Sequence, residues 1–291
     1  MALGHEFAGV VAEAAAGVSH LAPGMRVAVN PSRACGHCRF CTEGMQNQCL
    51  DMRFMGSAMR VPHIQGGFRE TVAVDASQCV PIADVLTMGE AAMAEPLAVC
   101  LHAAKQAGSV LGKQVLITGA GPIGALCVLV ARLAGAARIV VTDVADEPLK
   151  IVAKISADDV INVVKNGAAL ERYSKDKGTF DVLFEASGNQ TALASALDVL
   201  RPGAVIVQLG LGGQMTLPVN TIVAKELQLR GTFRFHTEFA EAVDLLGKGL
   251  INVKPLISAT LPFTAATEAF ELASDRSKSM KVQLDFGRGG L

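Results

Sequence analysis

The sequence predicts an α/β protein in which a doubly wound parallel sheet is joined to a β-rich domain. Three observations carry this. Apolar strands alternate with amphipathic helices from about Gly108 to Phe235. The first hundred residues instead show short alternating runs separated by turns. Between those runs, four cysteines fall close together.

From Met1 to about Leu101, runs such as Arg26–Val29 and Glu70–Val74 alternate apolar with other residues. Pro-Gly, Gly-Gly and Asp-Ala-Ser turns separate them, the texture of antiparallel strands. Cys35, Cys38, Cys41 and Cys49 are spaced C-x2-C-x2-C-x7-C. Pro31, Gly36 and Gly44 break regular structure around them, and no apolar period runs through. Four thiolates so placed can converge on one tetrahedral ion, and structural Zn²⁺ is the usual occupant. An iron–sulfur cluster and a disulfide framework are the alternatives. The ferredoxin run, however, places its fourth cysteine three residues on and follows it with proline, whereas here the gap is seven and Leu50 follows. Cys79, Cys100 and Cys127 read as small apolar residues.

Val115–Thr118 is a short strand leading into Gly119-Ala-Gly121-Pro122-Ile123-Gly124. The helix that follows aligns Ile123, Leu126, Cys127, Val130 and Leu133 on one face, and Gly135 stops it. A second strand, Ile139–Thr142, ends at Asp143. Strand, G-x-G-x-x-G loop, helix and acid-terminated strand together make a dinucleotide-binding fingerprint. Glycines let the backbone approach a pyrophosphate, and the helix N-terminus supplies N–H groups and a favourable dipole. Asp143 would accept hydrogen bonds from the ribose hydroxyls and repel a 2′-phosphate, so NAD is expected over NADP. The strands Asp181–Glu185 and Ala204–Leu209 end in small-residue loops, and Leu227–Thr232 reads as a third strand. Loops at the carboxyl ends of such strands border the nicotinamide, which places Ser187, Gly188, Leu209, Gly210 and Phe233 among the cofactor contacts.

The tail opens with a helix around Glu238–Lys248 and closes with the alternating strand Met280–Phe286. That strand needs a sheet, and it is expected to return to the N-terminal lobe. The organisation is thus residues 1–102, 103–236 and 237–291. The formal net charge is −1, without blocks of like charge, which argues against a nucleic-acid surface or a polybasic membrane patch. The longest apolar stretch, around Ala125–Ala134, is interrupted by Arg132 and too short to span a bilayer. With no signal-peptide pattern and seven cysteines, a cytoplasmic setting is expected.

Five stretches now point to a family: Gly4-His5-Glu6-Phe7-Ala8-Gly9, the four-cysteine lobe, Glu95-Pro96-Leu97-Ala98-Val99, Gly119–Gly124 and Phe184-Glu185-Ala186-Ser187-Gly188. Through them the chain resembles the polyol branch of the zinc-dependent medium-chain dehydrogenases. Met52–Arg60, Pro62–Arg69 and Gly231–Phe235 add a likeness to the L-idonate 5-dehydrogenase subfamily. The resemblance implies a GroES-like catalytic domain beside the Rossmann domain, and oxidation of L-idonate to 5-keto-D-gluconate with NAD. It also implies a catalytic zinc, which acidifies the alcohol and fixes the carbinol carbon. His5, Glu6 and Glu95 match its ligand positions, and Arg234 is placed to pair with a substrate carboxylate. Arg53, Arg60 and His63 are further candidates for sugar-acid contacts.

The family also has a cysteine ligand on a segment preceding G-H-E, which begins here at Gly4. The chain is therefore expected to be N-terminally truncated, leaving sheet edges and apolar surface uncovered. Two other functions stay open: a sorbitol- or xylitol-type polyol dehydrogenase, and a catalytically impaired protein that binds NAD and one structural zinc. The partners implied are a small sugar acid or polyol and, from the family, a homodimer or homotetramer.

Overall fold

A computed structural model describes residues 1–287 and divides the chain into two compact units. The first comprises Met1–Val99, Arg234–Phe270 and Val282 onward; the second comprises Cys100–Phe233 and Glu271–Lys281. Residues 288–291 of the sequence-derived C-terminal segment lie outside the described residues.

The first unit begins with β1 (Phe7–Val10) and β2 (Arg26–Val29). The hairpin β3 (Ser32–Arg33) and β4 (Arg53–Phe54) brackets the short helix α1 (Arg39–Thr42), and β5 (Cys79–Pro81) follows. β1, β2 and β5 form an antiparallel sheet in that order, with Ala8 opposite Ala28 and Ala28 opposite Val80. Leu21, Val27 and Val29 make a small core beneath it. The run Glu70–Val74 is not a strand, contrary to expectation. Its alternation is present, but no neighbouring strand among the described residues supplies the ladder that alternation alone cannot make. Helices α2 (Met88–Ala92) and α3 (Ala94–Ala107) follow. A reciprocal capping box between Thr87 and Glu90 starts α2.

The second unit is built on β6 (Gln114–Thr118), β7 (Arg138–Asp143), β8 (Asp159–Asn162), β9 (Phe180–Glu185), β10 (Leu200–Gln208) and β11 (Gln228–Gly231). All six are parallel, in the order β11-β10-β9-β6-β7-β8. Between them run α4 (Pro122–Leu133), α5 (Asp146–Lys154), α6 (Ala168–Glu171), α7 (Gln190–Val199) and α8 (Val219–Ala224). The central strands β6, β7 and β9 read as near-continuous apolar runs because both faces are covered: Val115, Leu116, Ile117, Val140, Phe180, Val182 and Leu183 are all fully buried. The chain winds outward from β6 in both directions. The β6/β9 boundary is thus the point where strand order reverses, the place at whose carboxyl ends open α/β sheets bind their ligands.

The tail contributes α9 (Glu238–Gly247), β12 (Ile257–Pro262), α10 (Ala266–Ser274) and β13 (Lys281–Asp285). β13 pairs with β12 in a two-stranded sheet and not with the β1-β2-β5 sheet. The terminal strand finds its ladder locally, and its link to the N-terminal segment runs through Gln283, whose amide donates to the Gly89 carbonyl at 2.8 Å. Phe68, Phe263 and Phe270 are exposed, and Phe286 stacks with both Phe68 and Phe263. No helix among the described residues is long and apolar enough to cross a membrane.

Candidate active site

Each unit carries candidate chemistry. In the first, the β3–β4 hairpin and α1 gather the four cysteines. Their sulfurs lie within 4.8 Å of one another, with Cys35–Cys41 at 3.9 Å, Cys38–Cys41 at 3.5 Å and Cys38–Cys49 at 4.0 Å. Zn–S bonds of ~2.3 Å in a tetrahedron require sulfurs about 3.8 Å apart. The cage therefore has the dimensions of the ion, and the spacings are far too long for disulfides. Backbone N–H groups of Cys35 and Asp51 point at the Cys49 sulfur, at 3.2 and 3.3 Å. Hydrogen bonds from the backbone of Leu50 and then Cys41 pull the Cys38 thiol down to about 6, while burial pushes Cys41 up to about 12. Four packed sulfurs cannot all ionise unless a cation joins them; the donor set fits structural zinc.

His5, Glu6 and Glu95 form a second group whose ligand atoms also lie within 4.8 Å of one another. His5 and Glu6 sit just before β1, and Glu95 is buried in the first turn of α3. Local backbone bonding explains how a terminal segment holds its place. The N–H groups of Gly66, Gly67 and Phe68 donate to the carbonyls of Ala2, Gly4 and Leu3 at 2.9, 2.8 and 3.0 Å. A side chain at Gly66 would come within 2.3 Å of the Gly4 carbonyl oxygen, so only glycine permits this approach. One imidazole and two carboxylates suit zinc, and three protein ligands leave a position for water or substrate. No cysteine among the described residues belongs to this group.

Phe54 borders it. His5 meets the Phe54 ring edge-on with centroids 5.3 Å apart, and the Arg234 guanidinium carbon stands 3.8 Å from the centroid of the same ring. Arg234 takes a left-handed backbone, φ +55°, and its guanidinium also touches the Met59 sulfur. Burial lowers its pKa, and the Glu95 carboxylate works against that shift. Arginine and a predicted zinc ligand thus share one electrostatic neighbourhood. Arg60 is engaged otherwise, in an ion pair with Asp51 at 2.5 Å. Arg53, in β4 opposite Arg33, and His63 are exposed. In the sequence, Phe54 is marked only as part of the segment Met52–Arg60, with no role of its own.

In the second unit, the glycine loop joins β6 to α4. No side chain caps the α4 N-terminus, where Gly121 is the N-cap and Pro122 the first helical residue. Gly119 has φ +89°, and a Cβ there would approach the Ser187 nitrogen to 2.9 Å; one at Gly124 would strike the Gly119 carbonyl oxygen at 1.8 Å. These glycines keep open a backbone cradle of the kind that receives a pyrophosphate. Asp143 ends β7 and accepts from the backbone N–H groups of Ala120, Val144 and Ala145 at 2.6, 2.7 and 2.9 Å. Those bonds hold the carboxylate against the glycine loop, and its remaining lone pairs suit ribose hydroxyls. Ser187 and Gly188, and Leu209 and Gly210, meet at the ends of β9 and β10, where the Leu209 and Gly210 N–H groups donate to the Glu185 carbonyl. Phe233 is exposed just past β11.

Residues 1–84 match the family model described as alcohol dehydrogenase GroES-like domain, and residues 122–248 match that described as zinc-binding dehydrogenase. L-idonate 5-dehydrogenase (NAD(P)(+)) of Escherichia coli K12 is 46% identical over 98% of this chain and 82% of its own length. The chain belongs to the zinc-binding dehydrogenases. It is an oxidoreductase with the GroES-like and Rossmann domains of that family. The crystal structure of the Escherichia coli enzyme superposes with a TM-score of 0.94 over the same shares of the two chains. Two further relatives are each 35% identical: L-idonate 5-dehydrogenase of Vitis vinifera, over 98% of this chain and 79% of its own, and sorbitol dehydrogenase of Gallus gallus, over 98% and 80%.

Proposed function

We propose that this chain oxidises the C5 hydroxyl of L-idonate to 5-keto-D-gluconate, with NAD⁺ accepting the hydride and one proton released. The observation that carries the choice of substrate is Arg234, held over Phe54 beside the group formed by His5, Glu6 and Glu95. A guanidinium there can pair in bidentate fashion with the carboxylate of a sugar acid, an interaction a neutral polyol does not offer. His5, Glu6 and Glu95 would hold zinc, which when bound acts as a Lewis acid on the alcohol oxygen. Gly119–Gly124 and Asp143 would hold NAD by its pyrophosphate and adenosine ribose. Ser187, Gly188, Leu209, Gly210 and Phe233 would line its nicotinamide end.

The identity to two L-idonate 5-dehydrogenases supports this reading; the likeness to sorbitol dehydrogenase keeps a neutral polyol as the competing substrate. The test is NADH formation by zinc-loaded protein with L-idonate, D-gluconate, sorbitol and xylitol. Activity confined to L-idonate is expected. Comparable kcat/KM on sorbitol or xylitol would favour the polyol reading, and no turnover with any of them would favour a non-catalytic cofactor-binding protein.

A further inference from the structure

At the end of β9, in the middle of the parallel sheet, Glu185 is fully buried. Its carboxylate accepts from five groups. The Thr118 hydroxyl, at the end of β6, donates to Oε1 at 3.2 Å. The Ser187 N–H donates at 2.9 Å, and the Ser187 hydroxyl makes a short bond to the same oxygen. The Gly188 N–H bridges both oxygens at 3.1 Å, and the Gln208 amide, at the end of β10, donates to Oε2 at 2.5 Å. That amide also donates to the Gly210 carbonyl at 2.9 Å.

Two features set this group apart from a loop brace. Every contact is a donor to it, so the site demands an acceptor-only group. A neutral glutamine would turn its own N–H₂ against donors. Moreover, no lysine or arginine among the described residues pairs with it, although buried carboxylates ordinarily have a cationic partner. The charge lies at the carboxyl ends of three adjacent strands, bonded to Ser187 and Gly188 and linked through Gln208 to Gly210.

We propose that Glu185 is a positioning residue whose buried charge biases the cofactor site toward the oxidised, cationic nicotinamide over the neutral reduced one. The inference rests on the reading above that these loops receive the nicotinamide end of NAD. The counter-charge missing from the protein is supplied by the cofactor in one oxidation state only. NAD⁺ gains an attraction that NADH lacks, and reduction weakens the hold on the product. The same hydrogen bonds fix the Ser187–Gly188 turn against Gln208.

The test is equilibrium binding to the zinc-loaded chain, NADH by its fluorescence enhancement and NAD⁺ by calorimetry. The quantity read is the ratio Kd(NADH)/Kd(NAD⁺). In E185Q the ratio should fall at least about fivefold, chiefly by weaker NAD⁺ binding, because a unit charge in a poorly screened site has been removed. E185D keeps the charge, so it should weaken both cofactors while holding the ratio near the wild-type value. An unchanged ratio in E185Q, even with both constants raised together, would reduce Glu185 to a loop brace and overturn the proposal. If E185Q does not fold, T118V removes one donor from the carboxylate. It should then raise the ratio, and a ratio that stays put or falls counts against the idea. Wild-type protein that binds neither cofactor would defeat the cofactor reading itself, an outcome distinct from a fixed ratio.

Discussion

The Arg234 guanidinium stands 3.8 Å from the centre of the Phe54 ring, on a backbone turned into the left-handed region at φ +55°. Because His5 meets the same ring at 5.3 Å, the phenyl group sets the separation between a predicted zinc ligand and a cation suited to a substrate carboxylate. The strained backbone is the local cost of that placement, and such strain tends to persist where the surroundings over-determine it.

Removing the guanidinium should therefore separate acid from neutral substrates. In Arg234→Ala, kcat/KM for L-idonate is expected to fall by about 10- to 100-fold, the worth of a charged hydrogen-bonded pair. Activity on sorbitol, where present, should change little. Steady-state kinetics on both substrates decides it; equal losses would show that Arg234 supports the fold or the metal group instead.

Metal stoichiometry distinguishes the two ligand groups. Wild-type protein, washed of loose metal, is expected to hold two zinc ions per chain by elemental analysis. Cys41→Ser should lose one and lower the unfolding temperature, since a structural zinc contributes directly to folding. His5→Ala should also lose one, with turnover abolished and thermal stability little altered. One zinc per wild-type chain would assign the ion to the cysteines and leave the group at His5 without a metal.

Cofactor choice should follow Asp143. In Asp143→Ala, the preference for NAD over NADP is expected to narrow by about 10-fold or more, because acceptors for the ribose hydroxyls and the repulsion of a 2′-phosphate vanish together. Kd values for both cofactors test this. Since the same carboxylate holds Ala120, affinity for NAD should also decline.

Acid stability has a local contributor at the turn before β13. Asp275 accepts from the Ser277 hydroxyl and N–H at 2.5 and 3.0 Å and pairs with Lys278 at 2.9 Å, bonds that draw its carboxyl down to about 2. A depressed carboxylate stabilises the fold above its unfolded value of about 3.9, and the contribution disappears as pH falls through the folded value. Asp275→Asn should unfold more readily than wild type at pH 5–7, with the difference shrinking as pH falls towards 2 and gone only below it. A difference independent of pH in circular-dichroism melts would exclude this linkage.

Five of the six strands of the Rossmann unit and the helix after its glycine loop were legible in the sequence; β8 (Asp159–Asn162) was not. Its central strands are buried on both faces, so apolar runs mark them, and the loop glycines answer to backbone geometry that leaves a spacing signature. The cysteine lobe was legible for a related reason: metal ligands on one short loop must be close in sequence. Glu70–Val74 misled because alternation describes one strand, whereas a sheet needs two. Phe54 and Glu185 carried no local signal of their roles. One lies within a segment noted only for its likeness and the other reads as the end of a strand, and their partners lie far away in the chain.

What the sequence determined by itself was therefore periodicity and short-range spacing: the parallel α/β unit, the glycine loop, Asp143 and the four-sulfur cage. Only the tertiary structure decided that His5 and Glu95 share one neighbourhood with Arg234, that β13 pairs with β12, and that a single buried carboxylate ties together the ends of β6, β9 and β10. The reason is physical. Chain-local features are set by backbone geometry that each segment carries with it, but a buried charge or a ligand set is defined by distances between segments, and those exist only once the chain has packed.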